Sequence, residues 1–309
     1  MPKVAILIAA SPGRAFYSQI AVLSLALGKL RWSHWKPSVY AYFGGQRDAD
    51  AFAAWCPYLR DVEIICVSDA RFEREGIWAQ CDAMFELAPR DADVLLTMDA
   101  DTLPVADLEE VLDRVAATRA IAGVIAHYPF PPYPGTLPRE NWARATHGLT
   151  DVPLDFAFSH SLMDPETSNE FLLTPFYVNF GVVFFSKAAF DDVACRYVSI
   201  RPILMARMFD PWFSGQAALT LAITAARIQT WALPMRYNFP NDALAVRMYP
   251  EESTNVVVYH YLRTQNFDRH KIFTSAEQYS RFLALPLLGV DQAFQTAVRN
   301  IIGQEYPFE

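Results

Sequence analysis

The sequence has no stretch of about 18 uncharged apolar residues, the least that crosses a bilayer as a helix. Its first apolar run, Val4 to Ala10, is seven residues long and runs into Ser11-Pro12-Gly13-Arg14. That length suits a buried strand better than a leader or a span, so no transmembrane segment is expected. Basic residues are in deficit: 26 Lys and Arg against 34 Asp and Glu, a net charge of −8 over 309 residues. They form no cluster, which argues against a nucleic-acid partner and against docking on anionic lipid. Cysteine is scarce. Cys56, Cys66, Cys81 and Cys195 include no C-x-x-C pair, which excludes the usual zinc spacings and a dense disulfide framework. Free thiols suit a cytoplasmic chain.

Apolar residues make up 52% and charged residues 19% of the sequence, the balance of a well-packed globular protein. A chain of this size buries roughly three quarters of its unfolded surface, so core size is not limiting. The first third alternates two patterns. Val4–Ala10, Ser38–Phe43, Val62–Val67 and Val94–Met98 read as strands covered on both faces. Between them, 16–29, 48–59 and 74–88 carry helical spacing. This alternation predicts a doubly wound α/β sheet, whose ligands bind beyond the carboxyl ends of the strands. A helix over 106–118 and a strand over 121–126 follow. Residues 128–175 are rich in Pro and aromatics with poor periodicity, and read as long loops carrying short elements. Strands are expected again over 176–185 and 255–262, helices from Lys187, over 214–227 and through much of 276–302.

Asp-Ala-Asp occurs at 48–50, 91–93 and 99–101, and position separates the three. The first precedes a helix, where carboxylates cap amides and favour the positive dipole end. The second lies at the amino end of a strand, the wrong edge for a ligand. Asp99-Ala100-Asp101 follows Val94–Met98 at the carboxyl edge. Two carboxylates there repel unless a cation lies between them, and a divalent ion with hard oxygen ligands is the natural solution.

The run Leu95-Leu96-Thr97-Met98-Asp99-Ala100-Asp101-Thr102-Leu103-Pro104 resembles the D-x-D region of GT-A-fold glycosyltransferases. Phe176 to Phe185 resembles their Asn-x-Gly strand, with Asn179 and Gly181. Asn255 to Tyr261 resembles the late strand of glycosyltransferase family 8, which ends in a metal-binding His, here His260. The resemblance spans about residues 1–275. It implies a Rossmann-like GT-A fold, a mixed central sheet flanked by helices, in one continuous domain. Residues 1–126 would form a nucleotide-binding half, 127–275 an acceptor and metal half, and 276–309 a C-terminal helical segment. Asp99, Asp101 and His260 would hold Mn²⁺ or Mg²⁺, the imidazole favouring Mn²⁺. The ion would bridge the diphosphate of a nucleotide-sugar donor such as a UDP-sugar.

Further roles follow from the same resemblance. Ala9, Ala10 and Ser11 would face the nucleobase. Ala100 lies between the two carboxylates, and Arg14, Arg71, Arg74, Arg263 and Lys271 are candidate donor contacts. The family continues its late strand with Gly and Lys-Pro-Trp, from which Leu262-Arg263-Thr264 departs. Where family 8 carries Asp-Gln, this sequence has Gly215-Gln216. An amide cannot act as a general base, so Gln216 tilts the mechanism toward retention of configuration, with Asn179 contacting a sugar. Asp210, six residues before Gln216, is the alternative base. The acceptor would be a sugar or glycoconjugate. Tyr128, Phe130, Tyr133 and Trp142 either offer it a platform or pin the 128–175 loop, and pinning is the simpler reading. His127, His147 and His160 lack ligand-like spacing. A nucleotidyltransferase of the same fold would show a Gly-rich, basic loop after the first strand, of which Ser11–Phe16 is a poor version. A non-catalytic homologue is the third reading, and the intact Asp99, Asp101 and His260 argue against it.

Overall fold

The structure, a computed structural model, describes residues 1–45 and 49–308. Asp48 of the first Asp-Ala-Asp triplet lies outside the described residues, and Asp50 sits in the first turn of the helix that follows. Regular alternation builds the first half: β1 (Lys3–Ala10), α1 (Arg14–Lys29), β2 (Lys36–Phe43), α2 (Ala49–Trp55), β3 (Val62–Cys66), α3 (Asp69–Glu75), α4 (Trp78–Glu86) and β4 (Val94–Met98). The helix expected over 74–88 is divided. Gly76 takes φ 61°, a left-handed conformation that ends α3 and lets α4 start in a new direction.

β5 (Thr102–Pro104), α5 (Glu109–Ala116) and β6 (Ala120–Ile125) come next. The irregular stretch holds α6 (Pro138–Thr146), β7 (Phe158–Ser159), α7 (Asn169–Leu172) and β8 (Leu173–Thr174), the two short strands paired antiparallel. The chain continues through β9 (Val178–Ser186), α8 (Lys187–Arg207), α9 (Ser214–Ala226) and β10 (Gln229–Ala232). It closes with β11 (Phe239–Pro240), α10 (Ala243–Met248), α11 (Pro250–Ser253), β12 (Val258–His260), α12 (Ala276–Ala284) and α13 (Gly289–Ile302).

The central sheet has the order β10-β6-β9-β4-β1-β2-β3. Its strands are parallel except β9, which runs antiparallel between β4 and β6. The sheet is therefore mixed, and strands from both halves of the chain share it. A second sheet, β11-β12-β5, stands beyond the carboxyl end of β4, with His260 opposite Thr102.

Alternation along each strand feeds two cores. Val4, Ile6 and Ile8 face α1, α5 and the C-terminal helices, while Ala5 and Leu7 face α4, α8 and α9. Each fully buried Ile or Leu contributes about 1.5–3 kcal/mol. The aromatics of the irregular stretch pin it down: Phe130 and Trp142 are buried and pack edge-on against Tyr177. Tyr133 stacks on Arg144 and donates to the Arg207 carbonyl, whereas Tyr128 is exposed. At the amino end of β4, Asp91 pairs with the Lys3 ammonium and Asp93 accepts from the Lys3 amide, so the second triplet ties the chain's start to the sheet.

Among the described residues one charge pair is fully buried. Arg201 of α8 donates to both oxygens of Asp82 of α4, each at 2.6 Å, with both side chains 2% exposed. Burial pushes the Asp82 carboxyl up despite Arg201, a sign of how costly this charge would be if left alone. Arg201→Ala is expected to lower stability by about 3–5 kcal/mol in urea denaturation. Replacing both partners together, Asp82→Leu with Arg201→Met, is expected to recover most of that loss.

Candidate active site

Two pairings deliver three side chains that could hold a metal ion to one place. β4 is buried along its whole length and ends at Met98. The Asp99 amide still donates to the Gly181 carbonyl at 3.1 Å, so the ladder with β9 holds the turn at its start. The Asp99 carbonyl accepts from the amide and hydroxyl of Thr102, at 3.1 and 2.7 Å, which folds the chain back into β5. β5 then pairs with β12, and the Tyr261 amide reaches the Asp101 carbonyl at 3.0 Å. The result places His260 Nε2 at 3.6 Å from Asp99 Oδ2 and 3.5 Å from Asp101 Oδ1. One ligand atom from each of the three residues lies within 4.8 Å of the others.

The electrostatics favour positive charge between the two carboxylates. The protein packed around Asp99, more than the Asp101 charge, raises its pKa, although 48% of its side-chain surface stays open. Burial would also raise Asp101, but His260 and the Arg269 guanidinium outweigh it and hold its carboxyl low. Burial works against the charged form of His260, and Asp101 and Asp99 overcome it, so the ring's pKa is raised. A divalent ion would take the place of that proton. The donor set, two carboxylates and an imidazole, fits Mn²⁺ or Mg²⁺, with the nitrogen favouring Mn²⁺.

Arg269, which pairs with the second oxygen of Asp101, was not anticipated from the sequence. It stands in the charged run Asp268-Arg269-His270-Lys271, of which only Lys271 was named as a candidate donor contact. Lys271 pairs with Asp268 at 2.9 Å and is largely exposed. Arg263 pairs with Asp242 at 2.9 Å. Arg71 is held by Glu75 and Glu86, and Arg74 by Glu75. Arg14 is exposed at the first position of α1.

Next to Asp99 opens a cavity of about 150 Å³. Ala9, at the end of β1, lines it, while Ala10 is buried and Ser11 half-buried just beyond. Gln216, in the first turn of α9, also lines it, and its Oε1 is buried without a hydrogen-bond partner. Asp210 instead caps the short turn before α9, accepting from the Trp212 amide at 3.0 Å. Asn179 Oδ1 accepts from the Gly181 amide at 2.8 Å, shaping the start of β9. Gly181 has no room for a side chain: a Cβ there would lie 2.4 Å from His260 Nδ1 and 2.6 Å from Asn238 Oδ1. Gly215 is equally confined, its Cβ falling 2.8 Å from Trp78. His127 is buried at the end of β6, near His260 and Arg263, and His160 places Nδ1 3.1 Å from the Ala126 carbonyl.

No sequence family and no curated protein matches the chain. Solved structures do match its fold. The galactosyltransferase LgtC, in complex with donor and acceptor sugar analogs, superposes with a TM-score of 0.51 at 15% identity, over 94% of this chain and 99% of LgtC. The active-site glutamine-to-glutamate mutant of LgtC gives 0.51 at 14% identity, over 94% and 99%. The bifunctional glycosyltransferase WbbM gives 0.52 at 11% identity, over 97% of this chain and 52% of WbbM. The chain has the GT-A-like fold of these proteins. No helix among the described residues is long and apolar enough to cross a membrane.

Two outcomes follow from this geometry. Gly181→Ala forces the His260 ring aside, and Mn²⁺ affinity measured by calorimetry is expected to fall by about 10- to 100-fold. Burial pushes the pKa of His127 down to about 3 and that of His160 down to about 4. An unfolded His takes its proton near 6.5, so at these two sites the unfolded chain binds more protons between about pH 4 and 6.5. Stability therefore falls as the pH drops through that window. The urea midpoint is expected to be lower at pH 5 than at pH 7, and His160→Gln to flatten part of the difference.

Proposed function

We propose that this chain is a metal-dependent glycosyltransferase that moves a sugar from a nucleoside-diphosphate donor, such as a UDP-sugar, to a hydroxyl of a sugar or glycoconjugate. The convergence of Asp99, Asp101 and His260 at the carboxyl edge of the central sheet, beside a cavity, carries this reading. The fold shared with LgtC and WbbM supports it.

Each residue then has a physical task. Asp99, Asp101 and His260 hold Mn²⁺ or Mg²⁺, which when bound neutralises charge on the departing diphosphate. Arg269 fixes one oxygen of Asp101 and leaves the other facing His260. The end of β1, Ala9 to Ser11, meets the nucleobase, and the small side chains let it approach the backbone. Gln216 lines the cavity, and its buried amide oxygen, which has no partner, is the acceptor for a sugar hydroxyl. LgtC has an active-site glutamine, and Gln216 is the side chain of that kind here. Asn179 shapes the strand that carries Gly181, beside the sugar.

Retention of anomeric configuration is the better-supported outcome. Among the described residues that line the cavity, Asp99 is the only carboxylate, and it is taken as a ligand. Gly215 leaves no space for another, because Trp78 and Tyr197 already fill the position a side chain would need. Asp210 is engaged in capping. With no free base, the leaving diphosphate itself is the proton acceptor for the incoming hydroxyl.

Thermal unfolding tests the reading directly. UDP with Mn²⁺ at a hundredfold excess over Kd is expected to stabilise the protein by about 2.7 kcal/mol, a rise of several degrees in Tm. Asp101→Ala is expected to abolish that rise and the slow hydrolysis of the donor. A panel of nucleoside diphosphates that leaves Tm unmoved, with or without Mn²⁺, would sink the proposal. NMR of the product anomer then separates retention from inversion.

A further inference from the structure

We infer that the cavity beside Asp99 receives the donor's sugar and that its inner end is built for a methyl group, carried on a 6-deoxy or an N-acetyl substituent. The inference rests on the transferase reading above and specifies the donor within it.

The cavity is polar at one end only. Its outer rim carries Asp99, with 48% of its side chain open, and Trp212, 61% exposed. Gln216 adds an amide oxygen that has lost water and found no partner. Its buried wall is Met84, Phe85 and Phe185, with Cys81 beside them. These side chains offer no strong donor or acceptor. Among the described lining residues the one hydroxyl is on Thr97, and it already faces the Val183 carbonyl at 3.5 Å, while the Tyr197 ring stacks on Phe85 with its hydroxyl against Gly215, outside the lining.

Charge is excluded from this end as well. Arg201 passes behind Trp78, but both its bonds to Asp82 turn it away from the cavity. Arg71 is held by Glu75 and Glu86. A hexuronic carboxylate would find no cation there. A sugar hydroxyl sent inward would give up its water without a replacement, whereas a methyl group would gain by the same burial. The ring hydroxyls suit the other direction, toward Gln216 and the rim. A sugar with hydroxyls along one edge and a methyl group on the other matches both ends.

Binding of nucleotide sugars with Mn²⁺, read by calorimetry or thermal shift, decides the point. Three pairs share a base and a sugar configuration within each pair: UDP-N-acetylglucosamine against UDP-glucose, dTDP-D-fucose against dTDP-D-galactose, and GDP-D-rhamnose against GDP-D-mannose. The methyl-bearing member of the pair whose base is accepted is expected to bind about 10- to 100-fold more tightly. The UDP pair reports an N-acetyl methyl, and the other two report a 6-deoxy methyl. Cys81→Leu, which fills the inner end, is expected to erase that preference while leaving binding of the free nucleoside diphosphate intact. Equal binding within every pair, alongside clear binding of a nucleoside diphosphate, would overturn this inference and spare the transferase reading. Absence of any nucleotide binding by the folded protein would overturn both.

Discussion

Two like charges fixed two residues apart at the end of a buried strand set the terms for the structure around them. At about 4 Å, two unit charges cost about 1 kcal/mol in water and about 4 kcal/mol at the effective dielectric of a protein surface. The fold answers with counter-charge from separate parts of the chain. His260 arrives on β12 and Arg269 on the segment after it. Neither could reach Asp101 if β4 simply ended in a loop. The reversal at Thr102, the three residues of β5 and their pairing with β12 are what bring the late chain back to the early one. The small second sheet is thus the frame of the site.

Space is the second constraint, and two glycines set it. Gly181 leaves the volume that the His260 ring enters, so the strand in the middle of the sheet and the ligand at its edge are fitted to each other. Gly215 leaves the volume that Trp78 enters, and in doing so removes any carboxylate from the start of α9. The first glycine lets His260 reach Asp99 and Asp101. The second decides which carboxylates can stand beside the cavity. Neither depends on unusual backbone angles; both depend on what a Cβ would strike.

The sequence spoke clearly where the local pattern and the global role agree. Val94–Met98 reads as a buried strand because it is one, and its carboxyl end singled out Asp99 and Asp101 from two identical triplets. It spoke less clearly where tertiary contacts decide. Gln229–Ala232 is short and half polar, and becomes a strand only because β6 offers an edge. The β-branched run at 255–262 promises a long strand, yet only Val258–His260 takes strand form. The division of the 74–88 helix depends on one glycine with positive φ. Arg269 was hidden among neighbouring charges, since no spacing rule tells which cation in Asp268-Arg269-His270-Lys271 turns inward.

The partnering of the other cations bears on how the diphosphate charge is met. A surface pair such as Lys271–Asp268 contributes at most about 1 kcal/mol, so a phosphate could replace Asp268 in it. Arg71 is different. Glu75 and Glu86 grip it on two sides, and Asp82 lies 3.8 Å away, so freeing it would strand several carboxylates at once. Arg269 is committed to Asp101, where it already balances a ligand. Few cations near the cavity can turn to a nucleotide without exposing an acid. On the proposed reading, neutralising the leaving group therefore falls mainly to the divalent ion, and the two carboxylates that create the electrostatic difficulty also supply its solution.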